Sequence, residues 1–145
     1  MPLFVILEHM ANGLLVGSYY IVLALGLSLI FSLGGVVNLA HGAFYATGAY
    51  LAWEVQRRLG FFGAVALSPL GVALVGVVIE RLFLRRLYRE DPGLTLLFTF
   101  GLAMAAEQSL RLIWGATGLP FGIPEVLRGQ IFLGDFIYSR YRLAV

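Results

Sequence analysis

The sequence predicts an all-α, polytopic integral membrane protein with about four transmembrane helices. Between Met10 and Trp53 there are 44 residues without one formally charged side chain. That run is long enough for two passes, because one crossing takes about 20 apolar residues. Over the whole chain 60% of the residues are hydrophobic and 12% are charged, and the mean hydropathy is +0.90. With most of its 145 residues committed to spans, we expect a single membrane-embedded domain over residues 1–145 and no soluble catalytic domain.

The first span is predicted from Met10 to Leu33. Gly13 and Gly17 stand one turn apart on one helix face, and Gly26 is a further small residue among large apolar ones. Small residues let another helix approach closely, so Gly13, Gly17 and Gly26 are predicted as helix-packing positions. Gly34-Gly35 is then expected to break the helix, because Gly readily takes conformations with positive φ.

A polar motif, Asn38-Leu-Ala-His-Gly42, lies at the start of the second predicted segment, Val36 to Trp53. This segment is short enough that it can begin as broken or re-entrant backbone, which a membrane tolerates only where protein or a water-filled cavity satisfies its polar groups. Asn38 and His41 share one face if the stretch is helical, Gly42 permits a close backbone approach, and Tyr45 continues the polar edge. Asn38, His41, Gly42 and Tyr45 are therefore the candidates for lining a solute path.

Two other interpretations of this motif stay open. The polar groups can cap and lock an interrupted helix beside Gly34-Gly35 without touching any solute. The imidazole of His41 can also handle protons, since it is neutral at little cost near pH 7.

The third span is predicted from Leu59 to Ile79, and Pro69 near its middle is expected to kink or split it. A charged connector follows, with four arginines between Arg81 and Arg89. Under the positive-inside rule this connector is the strongest cytoplasmic candidate. With four crossings, the N-terminus is then expected outside.

The fourth span is predicted to begin with Asp91 as N-cap and Pro92 at the first helical position, and to extend to Trp114. Glu107 and Arg111 stand four apart in the favourable acid-first order, so they are expected to meet on one helix face. They either pair within the bilayer or lie at the emerging end of the span and snorkel to the interface.

Beyond Gly115 the sequence has the glycines and prolines of an external loop, with a short extended segment from Gln130 to Tyr138. The final stretch, Arg140 to Val145, is typical of the start of another span. We therefore expect the chain to be incomplete at its C-terminal end.

Several function classes are excluded by composition. All ten positive residues are Arg, so the chain lacks the Lys of a nucleotide-binding P-loop, and any ATP hydrolysis belongs to a partner. There is no Cys, no Gly-x-Ser-x-Gly elbow and no cluster of metal ligands, so neither an intramembrane enzyme nor a metal site is expected. The arginines lie at span ends rather than on one basic face, which argues against a nucleic-acid partner.

An ordered set of motifs covers nearly the whole chain: Gly13-x-x-x-Gly17, Leu23-Ala-Leu-Gly-Leu27, Leu29-Ile-Phe31, Asn38-Leu-Ala-His-Gly42, Gly48-Ala-Tyr50, Glu80-Arg81, Arg86, Thr99-Phe-Gly-Leu-Ala103, Glu107, Trp114-Gly115, Pro120 and Pro124. In this order they resemble the branched-chain amino acid ABC transporter permease family, and most closely the first of its two permease subunits. Ser32 is a minor departure, because it stands where the family pattern has Gly.

The resemblance implies a permease subunit of an ATP-driven importer in the bacterial inner membrane, without a cofactor. Its implied partners are a second permease subunit, two ATPase subunits and a periplasmic solute-binding protein that delivers branched-chain or related amino acids. Family members are about twice this length, and their ATPase-coupling loop lies in the part that this sequence lacks. Two alternatives are a channel for small solutes, suggested by the short Asn-Leu-Ala near a turn, and a membrane assembly subunit that transports nothing.

Overall fold

The structure is a computed structural model and describes residues 3–133 and 136–144. It contains two compact units, one formed by Met1–Leu25 with Gly122–Val145 and the other by Gly26–Phe121. The expectation of a single membrane domain stays a prediction, and each unit is described by itself below.

Helix α1 comprises Leu3–Gly34, and its 32 residues have a length of about 48 Å. It begins earlier than the predicted Met10, because the charge on Glu8 limits the membrane-embedded part of a helix and not the helix itself. It ends where the glycine pair predicts: Gly35 has a φ of 64° and donates its N–H to the Phe31 carbonyl at 2.8 Å.

Helix α2, His41–Ile79, consists of two arms, residues 41–59 and 61–79, joined at Gly60. Gly60 has φ 74° and ψ −177°, outside the helical range, and the chain reverses there. A Cβ built on Gly48 would lie 3.3 Å from Val72 Cγ2, although these two residues would be about 36 Å apart in a straight helix. The arms therefore form an antiparallel hairpin that corresponds to the second and third predicted spans.

Two details of this hairpin differ from the predicted boundaries. The first arm continues six residues beyond Trp53, because Glu54 pairs with Arg58 at 2.9 Å across one helical turn and with Arg57 at 3.8 Å. Of the two outcomes predicted for Pro69, the split of the third span is wrong, since the backbone stays helical through that residue, and the kink stays a prediction. Membrane helices tolerate Pro where neighbouring groups pack around it.

After the hairpin, a π-helical turn, Glu80–Leu84, and a short helix α3, Arg85–Leu87, form the connector. The ring of Phe83 stacks on Phe98 with centroids 5.5 Å apart, so the connector packs against the next helix.

Helix α4, Pro92–Trp114, has the predicted bounds. Asp91 caps it by accepting the Gly93 N–H at 2.6 Å, and Gly115, with φ 86°, ends it. Thr95, Thr99 and Leu110 are buried on this helix, where it packs against α2.

The other unit contains a β-hairpin of β1, Gln130–Leu133, and β2, Phe136–Ser139, in the region predicted to be extended. Gln130 pairs with Ser139 and Leu133 with Phe136, while residues 134 and 135 of the predicted segment lie outside the described residues. A 3₁₀ turn, Glu125–Leu127, precedes the hairpin, and helix α5, Arg140–Ala144, follows it. Arg142 Nη1 donates to Asn12 Oδ1 at 2.6 Å.

Within the described residues, three helices are long and apolar enough to cross a membrane: Val5–Gly34, His41–Leu87 and Pro92–Trp114. The second has 47 residues and reverses at Gly60, so it supplies two segments. The prediction of a helical membrane protein with about four spans is confirmed, and the short β1–β2 hairpin is the exception to an all-α fold.

Candidate functional site

The polar motif forms a buried turn between α1 and α2. Asn38 is 9% exposed, and its Oδ1 accepts the Ala40 N–H at 3.0 Å. The Asn38 carbonyl accepts the His41 N–H at 3.2 Å, so the first turn of α2 starts from this residue. Asn side chains favour such turns because they mimic a backbone acceptor. Residues 36–40 therefore lie outside α1 and α2, and protein groups satisfy the Leu39 and Ala40 N–H groups and the Asn38 carbonyl of this turn.

The side chain of Thr99, on α4, supplies a hydrogen-bond acceptor to the same turn. Its Oγ1 accepts the Leu39 N–H at 3.2 Å and donates to the Leu96 carbonyl at 3.1 Å. The side chain is completely buried. This role of Thr99 was not predicted from the sequence, although Thr95 and Thr99 stand four residues apart in an apolar span and thus mark one polar face.

His41 begins α2 and lies directly against Gly26 of α1. A Cβ built on Gly26 would lie 2.9 Å from both Cε1 and Nε2 of the imidazole, so a larger residue there would require the ring to move. Gly13 and Gly17 differ from Gly26, because a Cβ on either one would meet nothing within 4 Å among the described residues. Among the residues that the structure describes, Gly26 is the one predicted packing glycine at which an added Cβ would lie within 4 Å of another residue.

Two cavities flank the first arm of α2. A cavity of about 620 Å³ lies between the two arms and is lined by His41, Tyr45, Ser68 and apolar side chains. Gly42 lines a second cavity, of about 440 Å³, between the first arm and α4. Asn38 lines neither of them. The structure thus places His41 and Tyr45 on one cavity and Gly42 on the other, while Asn38 is bonded to His41 through the backbone and lines neither.

The second cavity contains the ion pair that the sequence predicts. Arg111 Nη2 donates to Glu107 Oε1 at 2.6 Å, and both side chains are more than half exposed. The pair lies in the last two turns of α4, and the alternative of snorkelling at the emerging end of the span stays a prediction. No group of three or more His, Cys, Asp or Glu that could hold a metal ion occurs in the described part of the chain.

Comparison with known proteins decides the family. The family model described as the branched-chain amino acid transport system permease component matches residues 9–138. The chain belongs to this family. The resemblance carried by the ordered motifs is thereby confirmed, and the long apolar helices agree with a multi-pass membrane transport component.

Curated members of this permease family cover most of the chain. The high-affinity branched-chain amino acid transport system permease protein BraD of Pseudomonas aeruginosa is 27% identical over an alignment of 139 residues that covers 89% of this chain and 45% of the relative. The corresponding LivH proteins of Escherichia coli K12 and Salmonella typhimurium are both 25% identical, over 88% and 89% of this chain and 44% of each relative. The chain spans less than half the length of these relatives, and no solved structure matches it significantly.

Proposed function

We propose that the chain is a permease subunit of an ATP-driven ABC importer for branched-chain or related amino acids. The family match over residues 9–138 carries this proposal. Relatives named as permease proteins of high-affinity branched-chain amino acid transport systems support the substrate class. A helix interruption closed by buried polar groups also suits a transporter, because membrane proteins keep irregular backbone where it lies inside protein or beside a cavity.

The subunit works with partners in this proposal. A second permease completes the pathway, two ATPases supply the energy, and a periplasmic binding protein delivers the solute across the bacterial inner membrane. The absence of Lys from these 145 residues supports external ATPases, since a P-loop needs that residue.

The charge distribution supports an orientation with the N-terminus outside. Arg81, Arg85, Arg86 and Arg89 surround one cavity of about 440 Å³ together with Glu90. Four guanidinium groups at one end of an apolar helical hairpin favour the cytoplasmic face. The C-terminal end of α4 then lies at the outer face.

Within the subunit, His41 and Tyr45 are the proposed path-lining residues, because both side chains line the cavity between the arms. Asn38 holds the turn that positions His41, and Gly42 opens the neighbouring cavity. Gly26 packs against His41, whereas Gly13 and Gly17 are proposed to pack against another helix of the assembled transporter.

Uptake of radiolabelled leucine into proteoliposomes tests the proposal. The complete reading frame is reconstituted with its neighbouring permease and ATPase, with the loaded binding protein outside and ATP inside. ATP-dependent uptake that needs this subunit is the expected result. Uptake without ATP would favour a channel, and no uptake by an assembled complex would contradict the substrate assignment.

The role of His41 is tested in the same assay, with the chain's other histidine as control. His9 is exposed and its Nδ1 lies 2.8 Å from the Val5 carbonyl oxygen within its own helix. We expect His41→Ala to reduce uptake more than it reduces assembly, and His9→Ala to change neither. Parallel loss of uptake and assembled complex in His41→Ala would instead show that His41 only packs.

A further inference from the structure

The Glu107–Arg111 pair is open to a solute that enters the cavity beside it. Both residues line this cavity, and their side chains are 59% and 55% exposed. One guanidinium nitrogen and one carboxylate oxygen join the pair. A guanidinium has five N–H donors and a carboxylate has two acceptor oxygens, so most of the pair's hydrogen-bonding capacity stays available.

The unused groups complement a zwitterion. A carboxylate fits the fork of a guanidinium through two parallel hydrogen bonds. An ammonium group fits the second oxygen of Glu107. A free amino acid carries both groups on one carbon, and it can therefore join the pair without bringing an unbalanced charge.

The rest of the cavity wall suits an aliphatic side chain. Ala46, Ala103 and the ring of Tyr50 line it, and Tyr50 is held by Trp114 with ring centroids 5.2 Å apart. Its volume of about 440 Å³ lies within the range of roughly 300–1,000 Å³ that is usual for small-molecule sites.

The loop after α4 is fixed beside this cavity. Trp53 Nε1 donates to the Pro120 carbonyl at 3.1 Å, and Phe61 meets Phe121 edge-on with centroids 6.2 Å apart. These two contacts join the loop that follows α4 to the arms on either side of Gly60.

We infer that Glu107 and Arg111 form a subsite for the α-ammonium and α-carboxylate groups of a free amino acid, whose apolar side chain lies against Tyr50 and Ala103. This inference rests on the proposed function, in which the C-terminal end of α4 faces the delivered solute. The bound amino acid places its ammonium and carboxylate groups beside the existing ion pair before it moves toward the cytoplasmic face.

The chain contains a matched control pair. Glu54 and Arg58 have the same acid-first spacing and pair at 2.9 Å, but they line neither cavity of the first arm. We expect Glu107→Gln or Arg111→Gln to lower leucine uptake by about tenfold, the loss of one charge-assisted hydrogen bond. Glu54→Gln or Arg58→Gln should change it by less than about twofold, because exposed ion pairs contribute little.

The exchanged pair, Glu107→Arg with Arg111→Glu, separates binding from a purely structural role. It keeps the ion pair but moves each charge to the other position, so uptake should stay low. Restored uptake would overturn the subsite, as would equal behaviour of the test and control pairs. Wild-type protein that takes up no leucine would refute the proposed function, whereas wild-type uptake unaffected by these variants refutes only the subsite.

Thiol protection measures occupancy directly and does not depend on transport. The sequence has no Cys, so Ala103→Cys introduces the only thiol in these 145 residues. In the purified complete protein, leucine should slow its modification by N-ethylmaleimide, while isoamylamine and 4-methylpentanoate at the same concentration should not. Ala105→Cys, an exposed position of the same helix that lines neither cavity, is the control and should react equally fast with and without leucine. Absent protection, or equal protection by the analogues that lack one charge, would overturn the inference.

Discussion

Adding one methyl group at Gly26 tests the close contact with His41. The new Cβ would lie 2.9 Å from two ring atoms of His41, where carbon atoms normally stay about 3.5–4.0 Å apart. The ring must therefore move, and overpacking of this kind costs about 1–3 kcal/mol. Replacing Gly by Ala inside a helix otherwise gains about 0.5–1 kcal/mol. Gly26→Ala should thus lower the free energy of unfolding by up to about 2.5 kcal/mol.

Gly17→Ala is the matched control in the same helix. A Cβ there meets nothing within 4 Å in the described residues, so this variant should show the helix gain alone. The difference in the free energy of unfolding between Gly26→Ala and Gly17→Ala measures the cost of the contact with His41 and should be about 1–3 kcal/mol. With His41→Ala as background the ring is gone, and Gly26→Ala should then behave as Gly17→Ala does.

The assay is unfolding of the purified protein in detergent, measured by helical circular dichroism for all four combinations of Gly26→Ala and His41→Ala. Residues in contact usually show coupling energies of about 0.5–3 kcal/mol. Equal stabilities of Gly26→Ala and Gly17→Ala would refute the contact. A penalty for Gly26→Ala that persists in the His41→Ala background would refute it as well.

Three further predictions concern other parts of the chain. Thr99→Val leaves the Leu39 N–H without its buried side-chain acceptor and should lower the free energy of unfolding by about 1 kcal/mol, as read from the midpoint in detergent; an unchanged midpoint would contradict that role. Asp91→Ala removes the cap of α4 and should cost about 1 kcal/mol, whereas Asp91→Asn should retain most of it. Single cysteines at Arg85 and Ser139 should react with a membrane-impermeant reagent from opposite faces, and labelling from the same face would exclude four crossings.

The sequence alone determined those features whose signals are local. The start of α4 at Asp91-Pro92 and its end at Trp114-Gly115 can be predicted from adjacent residues, since capping and positive φ act within one helical turn. The break at Gly34-Gly35 and the pairing of Glu107 with Arg111 have the same origin, because residues that are neighbours or four apart meet in any helix.

The tertiary structure decided the features that join distant residues. The sequence predicted a reversal between the second and third spans but did not distinguish Gly60 from the other glycines. The residue at which the chain turns became evident only from the backbone of α2 and the packing of its two arms. The hydrogen bond from Leu39 to Thr99 spans 60 residues. The approach of His41 to Gly26 needs the preceding turn to bring α1 and α2 together. Composition indicated a membrane protein with a polar interruption, but only packing shows which partners satisfy it, because buried polar groups must find donors and acceptors wherever the fold places them.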